Sequence, residues 1–127
     1  MTTLHGGCHC GKVRFEVEAA ADIEADQCNC SICRMSGYPH LIVAKRDFRL
    51  RSGEEQLQTY QFGSRVARHY FCRDCGIKSF YVPRSHPDGI SVNVNCLDRE
   101  GVRSLRVVPF DGENWEQNIY KLSPIND

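Results

Sequence analysis

Apolar and polar residues alternate along most of this chain with a period of two, the pattern that sets one face of a strand on a core and the other in water. Val13, Phe15 and Val17 alternate with Arg14 and Glu16 and predict a half-buried strand over residues 13–17. Leu41-Ile42-Val43-Ala44 is an unbroken apolar run between Pro39 and the polar Lys45-Arg46-Asp47, and predicts a buried strand. Phe48-Arg49-Leu50 and residues 57–62 read as strands joined by a polar, hairpin-like connection over 51–55. Residues 66–71 run into a further turn, 77–82 and 105–110 read as strands, and Ile90, Val92 and Val94 alternate strictly with polar neighbours. One more step of that alternation puts Cys96 on the apolar face.

Three stretches break the pattern. Residues 19–27 are acidic and alanine-rich and read as a helical turn or a loop, and 35–39 reads as a turn because Gly37 and Pro39 both interrupt regular structure. From Asp111 a short amphipathic piece, with Trp115, Ile119 and Leu122 on one side, is expected to cap the sheet. The sum is a mainly β, single-domain protein over 1–127, since 127 residues support one core of ordinary size.

Charge narrows the partners. The net charge is zero and the pI about 6.9, so no global field draws the chain to nucleic acid or anionic membrane. The first residues lack the features of a signal peptide, and no apolar run is long enough to span a bilayer, so a cytoplasmic, soluble protein is expected. Oligomeric state leaves no mark on the sequence.

The chemistry lies in the eight cysteines. They fall as Cys8-x-Cys10, Cys28-x-Cys30-x-x-Cys33, Cys72-x-x-Cys75 and a lone Cys96. Disulfide frameworks scatter cysteines to close loops, whereas close pairs and triplets of thiols suit a soft cation, zinc above all. The first and third clusters echo each other: each has glycine directly after its second thiol (Gly11, Gly76) and then a strand. Two such zinc-ribbon-type knuckles make one closed tetrahedral site, which assigns Cys8, Cys10, Cys72 and Cys75 to a structural zinc. His9, between two of these thiols, should project into solvent.

Cys28, Cys30 and Cys33 supply three ligands of a second zinc, so two Zn2+ per chain are expected. The fourth position separates two kinds of site, because a structural zinc is closed by a side chain and a catalytic one keeps that position for water or substrate. Cys96 is either the fourth thiolate or a small core hydrophobe.

The order Gly6-x-Cys8-x-Cys10-Gly11, Cys28-x-Cys30-Ser31-x-Cys33-Arg34 and Phe71-Cys72-x-x-Cys75-Gly76 resembles the glutathione-dependent formaldehyde-activating enzyme family. The segments Tyr60-Gln61-Phe62-Gly63, Asn95-Cys96-Leu97-Asp98 and Phe110-Asp111-Gly112-Glu113-Asn114-Trp115 look like its centromere protein V branch. The resemblance covers nearly the whole chain. It implies an Mss4-like β-sheet fold with two zinc sites, Cys8, Cys10, Cys72 and Cys75 matching the structural ligands and Cys28, Cys30 and Cys33 the ligands of the catalytic metal. It implies a carbon–sulfur lyase-type activity on glutathione or another thiol and its aldehyde adduct, forming or cleaving S-hydroxymethylglutathione. A free thiol is mostly protonated at neutral pH, and a sulfur-binding Lewis acid supplies the nucleophilic thiolate such chemistry needs. Arg34, and with it Lys45, Arg46, Arg65 and Arg68, are candidates for glutathione's carboxylates. Were Cys96 to close the second site, a non-catalytic zinc-stabilised module for protein or chromatin interaction would be the alternative.

Overall fold

The computed structural model describes residues 1–114, so the expected amphipathic piece bearing Trp115, Ile119 and Leu122 lies outside the described residues. Among the described residues, ten strands and one α-helix follow in order: β1 Thr2–Gly7, β2 Arg14–Ala19, β3 Asp22–Cys28, α1 Ser31–Ser36, β4 Pro39–Ala44, β5 Phe48–Ser52, β6 Leu57–Tyr60, β7 Arg68–Cys72, β8 Phe80–Val82, β9 Gly89–Asn93 and β10 Ser104–Phe110. They form a three-stranded sheet, β1-β2-β5, and a seven-stranded sheet, β10-β3-β4-β9-β8-β7-β6. The fold is mainly β, as the alternation predicts, with cysteine knuckles of the Mss4-like kind. No helix among the described residues is long and apolar enough to cross a membrane.

The core fills the space between the two sheets. Leu4, Phe15 and Val17 of the small sheet meet Ile23, Ala25, Leu41, Val43, Phe80, Ile90 and Val92 of the large one. Cross-strand register carries that face across the large sheet, since Tyr70 pairs with Phe80, Phe80 with Val92 and Val92 with Leu41. Residues one step away point to the other side, and their register runs His69 to Tyr81, Tyr81 to Ser91 and Ser91 to Ile42. That second face is buried too: His40, His69, Tyr81, Ser91 and Asn93 each expose less than a tenth of their surface. The central strands β4 and β9 are therefore covered on both sides.

Several elements differ from expectation. Residues 19–27, read as a helical turn or loop, instead contain β3, in which Ile23 and Ala25 enter the core between exposed Asp22 and Glu24. Packing and the parallel pairing with β10 override the poor strand propensity of Asp, Glu and Ala. The hairpin-like connection over 51–55 does not pair its neighbours: β5 lies in the small sheet and β6 in the large one. Gly53, at φ 89°, makes that crossing where an added Cβ would stand 2.4 Å from the carbonyl oxygen of Lys12. The strand expected over 77–82 is confined to β8, and that expected over 90–95 stops at Asn93, where a 3-10 turn, Val94–Cys96, begins.

Candidate functional site

The two knuckles are built alike. In the first, the Cys8 amide donates to the Val13 carbonyl, the Gly11 amide to the Cys8 carbonyl, and the Val13 amide points at the Cys8 sulfur. In the second, the Cys72 amide donates to the Ile77 carbonyl and the Gly76 amide to the Cys72 carbonyl. Gly11 and Gly76 sit at φ 83° and 75°, a conformation that side chains disfavour. One knuckle joins β1 to β2 and the other β7 to β8, so the four sulfurs meet where the two sheets meet, and Lys12 pairs with Asp74 across the junction.

The sulfurs of Cys8, Cys10, Cys72 and Cys75 all lie within 4.8 Å of one another. Zinc–sulfur bonds of about 2.3 Å in a tetrahedron require sulfur–sulfur edges of about 3.8 Å. Cys8 to Cys10 is 3.6 Å and Cys10 to Cys72 is 3.7 Å. The donor set and its spacing therefore fit zinc. His9 is exposed and outside the group.

Cys28, Cys30 and Cys33 form the second group, with sulfurs again within 4.8 Å of one another. Cys28 ends β3, Cys30 caps the N-terminus of α1, and Cys33 lies one helical turn on. The sequence reading missed this helix, which stops at Gly37 in the left-handed conformation, its amide donating to the Cys33 carbonyl. Behind the sulfurs, Gly112 packs so closely that an added Cβ would stand 2.2 Å from the Cys28 sulfur. Shared hydrogen bonds with Cys28 and Cys30, then burial, push the Cys33 thiol well up, while hydrogen bonds from Cys28 and Cys33 pull Cys30 down. Three thiols so arranged cannot all ionise alone, and a soft dication would let them.

No fourth His, Cys, Asp or Glu among the described residues joins this group. Cys96 was the expected candidate, and the structure places it elsewhere. The 3-10 turn ends the alternation that would have carried it along β9, and the thiolates that bear on it are Cys8 and Cys75, of the first group. Burial pushes its thiol up to about 11. His40 reaches one sulfur only: its Nε2 is 3.1 Å from Cys33 Sγ, and its Nδ1 lies 2.9 Å from Ser91 Oγ and 3.2 Å from the Tyr81 hydroxyl. Burial holds this imidazole down to about 3, so it is neutral at physiological pH.

The second group opens onto a cavity of about 180 Å³. It is lined by His40, Ile42, His69 and Tyr81 of the large sheet, by Phe62, Gly63, Ser64 and Ala67, by residues 83–85, and by Phe110 and Gly112. The His69 ring is stacked between Tyr81, at 4.7 Å and 12°, and Phe62, at 5.5 Å and 21°. Its Nδ1 is 2.7 Å from Lys78 Nζ, which stands 3.9 Å from the Tyr81 ring centroid. Phe62, Phe110 and Gly112, like Lys78 and Tyr81 in the segment 75–85, fall in stretches that carry the family resemblance, but the sequence assigns none of these residues a role; for His40 the available signal was its place at the edge of an apolar run, before Leu41.

Of the cations suggested for carboxylate binding, Arg34 is exposed on the last turn of α1 and does not line the cavity. Lys45 and Arg68 border a different surface groove beside Phe48, and Arg46 and Arg65 are exposed and line neither. Among the described residues, Arg84 is the Lys or Arg that lines the cavity.

Residues 3–115 match the family described as glutathione-dependent formaldehyde-activating enzyme. A Halomonas elongata protein named "Putative glutathione-dependent formaldehyde-activating enzyme" is 36% identical over 106 residues, which cover 76% of this chain and 67% of that protein. A crystal structure of a Rhodobacter sphaeroides protein superposes with a TM-score of 0.70 at 38% identity, covering 82% of this chain and 99% of that one. These findings reach the family; the centromere protein V branch has no support among them.

Proposed function

Since the chain belongs to the glutathione-dependent formaldehyde-activating enzyme family, we propose that it joins the glutathione sulfur to formaldehyde, and reverses that step, in the cavity beside Cys28, Cys30 and Cys33. The observation that carries this reading is the arrangement of the second group: three sulfurs at a cavity wall and no fourth ligand among the described residues. Such a set suits a metal that exchanges an outer ligand, in contrast to the closed set of four at the first group.

Zinc held by Cys28, Cys30 and Cys33 would supply a Lewis-acid contact that favours the thiolate form of an incoming thiol. The protein's own groups do the rest. His40 fixes the Cys33 sulfur from behind, and Ser91 and Tyr81 fix His40 in turn, as partners of ligands commonly do. Ile42, Phe62 and Phe110 keep the reacting end of the cavity apolar, which strengthens polar contacts made there. Arg84, with Ser64 and Ser85, offers a polar side to a dicarboxylate thiol.

Exchange spectroscopy on glutathione and formaldehyde tests the proposal. The protein should speed interconversion with S-hydroxymethylglutathione, and Cys33→Ser should remove the acceleration. Equal rates with and without protein would refute the substrate pair.

A further inference from the structure

Addition of a thiolate to an aldehyde leaves an alkoxide that must be protonated, and nothing in the three-sulfur group can do so. We infer that His69, backed by Lys78, is the proton donor of this site: a catalytic imidazole whose Nε2–H meets the aldehyde oxygen, with Lys78 as the positioning residue and proton source behind it. This rests on the proposed reaction above.

The geometry is specific. His69 exposes only 4% of its surface, yet lines the cavity, and its ring is held in plane between Tyr81 and Phe62. Lys78 Nζ occupies the Nδ1 side at 2.7 Å, which leaves Nε2 as the ring atom available to a ligand. Burial pulls His69 down to about 4 and Lys78 down to about 8. At neutral pH the lysine is therefore the charged partner and donates to Nδ1, and the imidazole proton is left on Nε2.

The groups around Lys78 account for a charged amine in so enclosed a place. The Tyr81 and Tyr38 rings lie 3.9 and 4.9 Å from Nζ, and any negative charge carried by the Cys33 and Cys30 sulfurs favours the ammonium. His40 faces it as a neutral ring, and no carboxylate pairs with it among the described residues. Tyr60 of β6 and Cys30 also bear on His69, and Asp26, whose carboxyl burial pushes up, is the acidic residue lining the same cavity.

The step balances. The thiolate sulfur forms a bond to the aldehyde carbon, the carbonyl π pair moves to oxygen, and that oxygen takes the Nε2 proton. Nδ1 takes a proton from the Lys78 ammonium in the same event, so no imidazolate forms and lysine is left as the amine. Solvent returns the proton lost when the thiol ionised. In cleavage the hydroxyl proton passes to Nε2, the Nδ1 proton to the amine, and the carbon–sulfur bond breaks to release thiolate.

Cleavage needs the Lys78 amine, so its rate should rise about tenfold between pH 7 and pH 9 as a group of pKa about 8 deprotonates. Lys78→Arg keeps a donor on Nδ1 but cannot deprotonate in this range, and should lose that rise. His69→Gln and Lys78→Met should slow the catalysed rate about a hundredfold with the KM for glutathione and the zinc content unchanged. Nitrogen-15 spectra of the wild-type imidazoles should show His69 as the Nε2–H tautomer, whatever the variants do. An Nδ1–H tautomer, or variants within about threefold of the wild type with the same pH profile, would overturn the relay and leave the reaction standing. No acceleration by the wild type would overturn the reaction, and the relay with it.

Discussion

Gly112→Ala tests the second group without touching a ligand. Gly112 follows β10, whose last residue, Phe110, pairs with Cys28 in register and accepts a hydrogen bond from the Asn29 amide. A Cβ there would stand 2.2 Å from Cys28 Sγ, 3.2 Å from Cys30 Cβ and 3.4 Å from the Cys30 amide nitrogen. Non-bonded atoms of this size settle at about 3.5–4.0 Å, so the sulfur would have to retreat by roughly 1.5 Å. Cys28 can yield only by rotating its sulfur away from Cys30 and Cys33, or by dragging the end of β3 with it. At a typical overpacking cost of about 1–3 kcal/mol, zinc affinity at this site should fall roughly five- to hundredfold. Competition with a chromophoric chelator measures it: the variant should surrender one zinc at lower chelator concentration and keep the other. The circular dichroism of the sheets should not change. Two zincs held as tightly as in the parent would refute the close packing of Gly112 on Cys28.

Other substitutions separate the two cysteine groups. Cys75→Ser should unfold the chain or lower its melting temperature steeply, because a structural zinc contributes on the order of 10 kcal/mol, comparable to the whole stability of a domain; a variant with parental zinc content and melting temperature would contradict this. Cys30→Ser should remove one zinc and leave the β signal in place, since its partners are local and the core lies between the sheets; loss of both metals together would count against independent sites. Cys96→Ala should leave the zinc content and the cobalt charge-transfer intensity of the second group unchanged, and a drop in that intensity would restore Cys96 as a ligand.

Much of this protein follows from local order in its chain. The period-two alternation of Val13, Phe15 and Val17, and the apolar run from Leu41 to Ala44, are strand signals because side chains on a strand must alternate sides whatever surrounds them. The thiol spacing is equally local: Cys8-x-Cys10-Gly11 and Cys72-x-x-Cys75-Gly76 each make a turn whose glycine needs positive φ, and both turns form as their residues imply. Two things were beyond local order. Whether Cys96 continues the alternation of β9 depends on where that strand stops, and the 3-10 turn after Asn93 ends the alternation before Cys96 is reached. The buried polar face of the large sheet was hidden for a different reason. His40, His69, Tyr81 and Ser91 lie on four separate strands and Lys78 just before a strand, so no local spacing groups them. Only the pairing of β7, β8, β9 and β4 sets His69, Tyr81, Ser91 and Ile42 in one row, and register between strands is a property of the folded sheet.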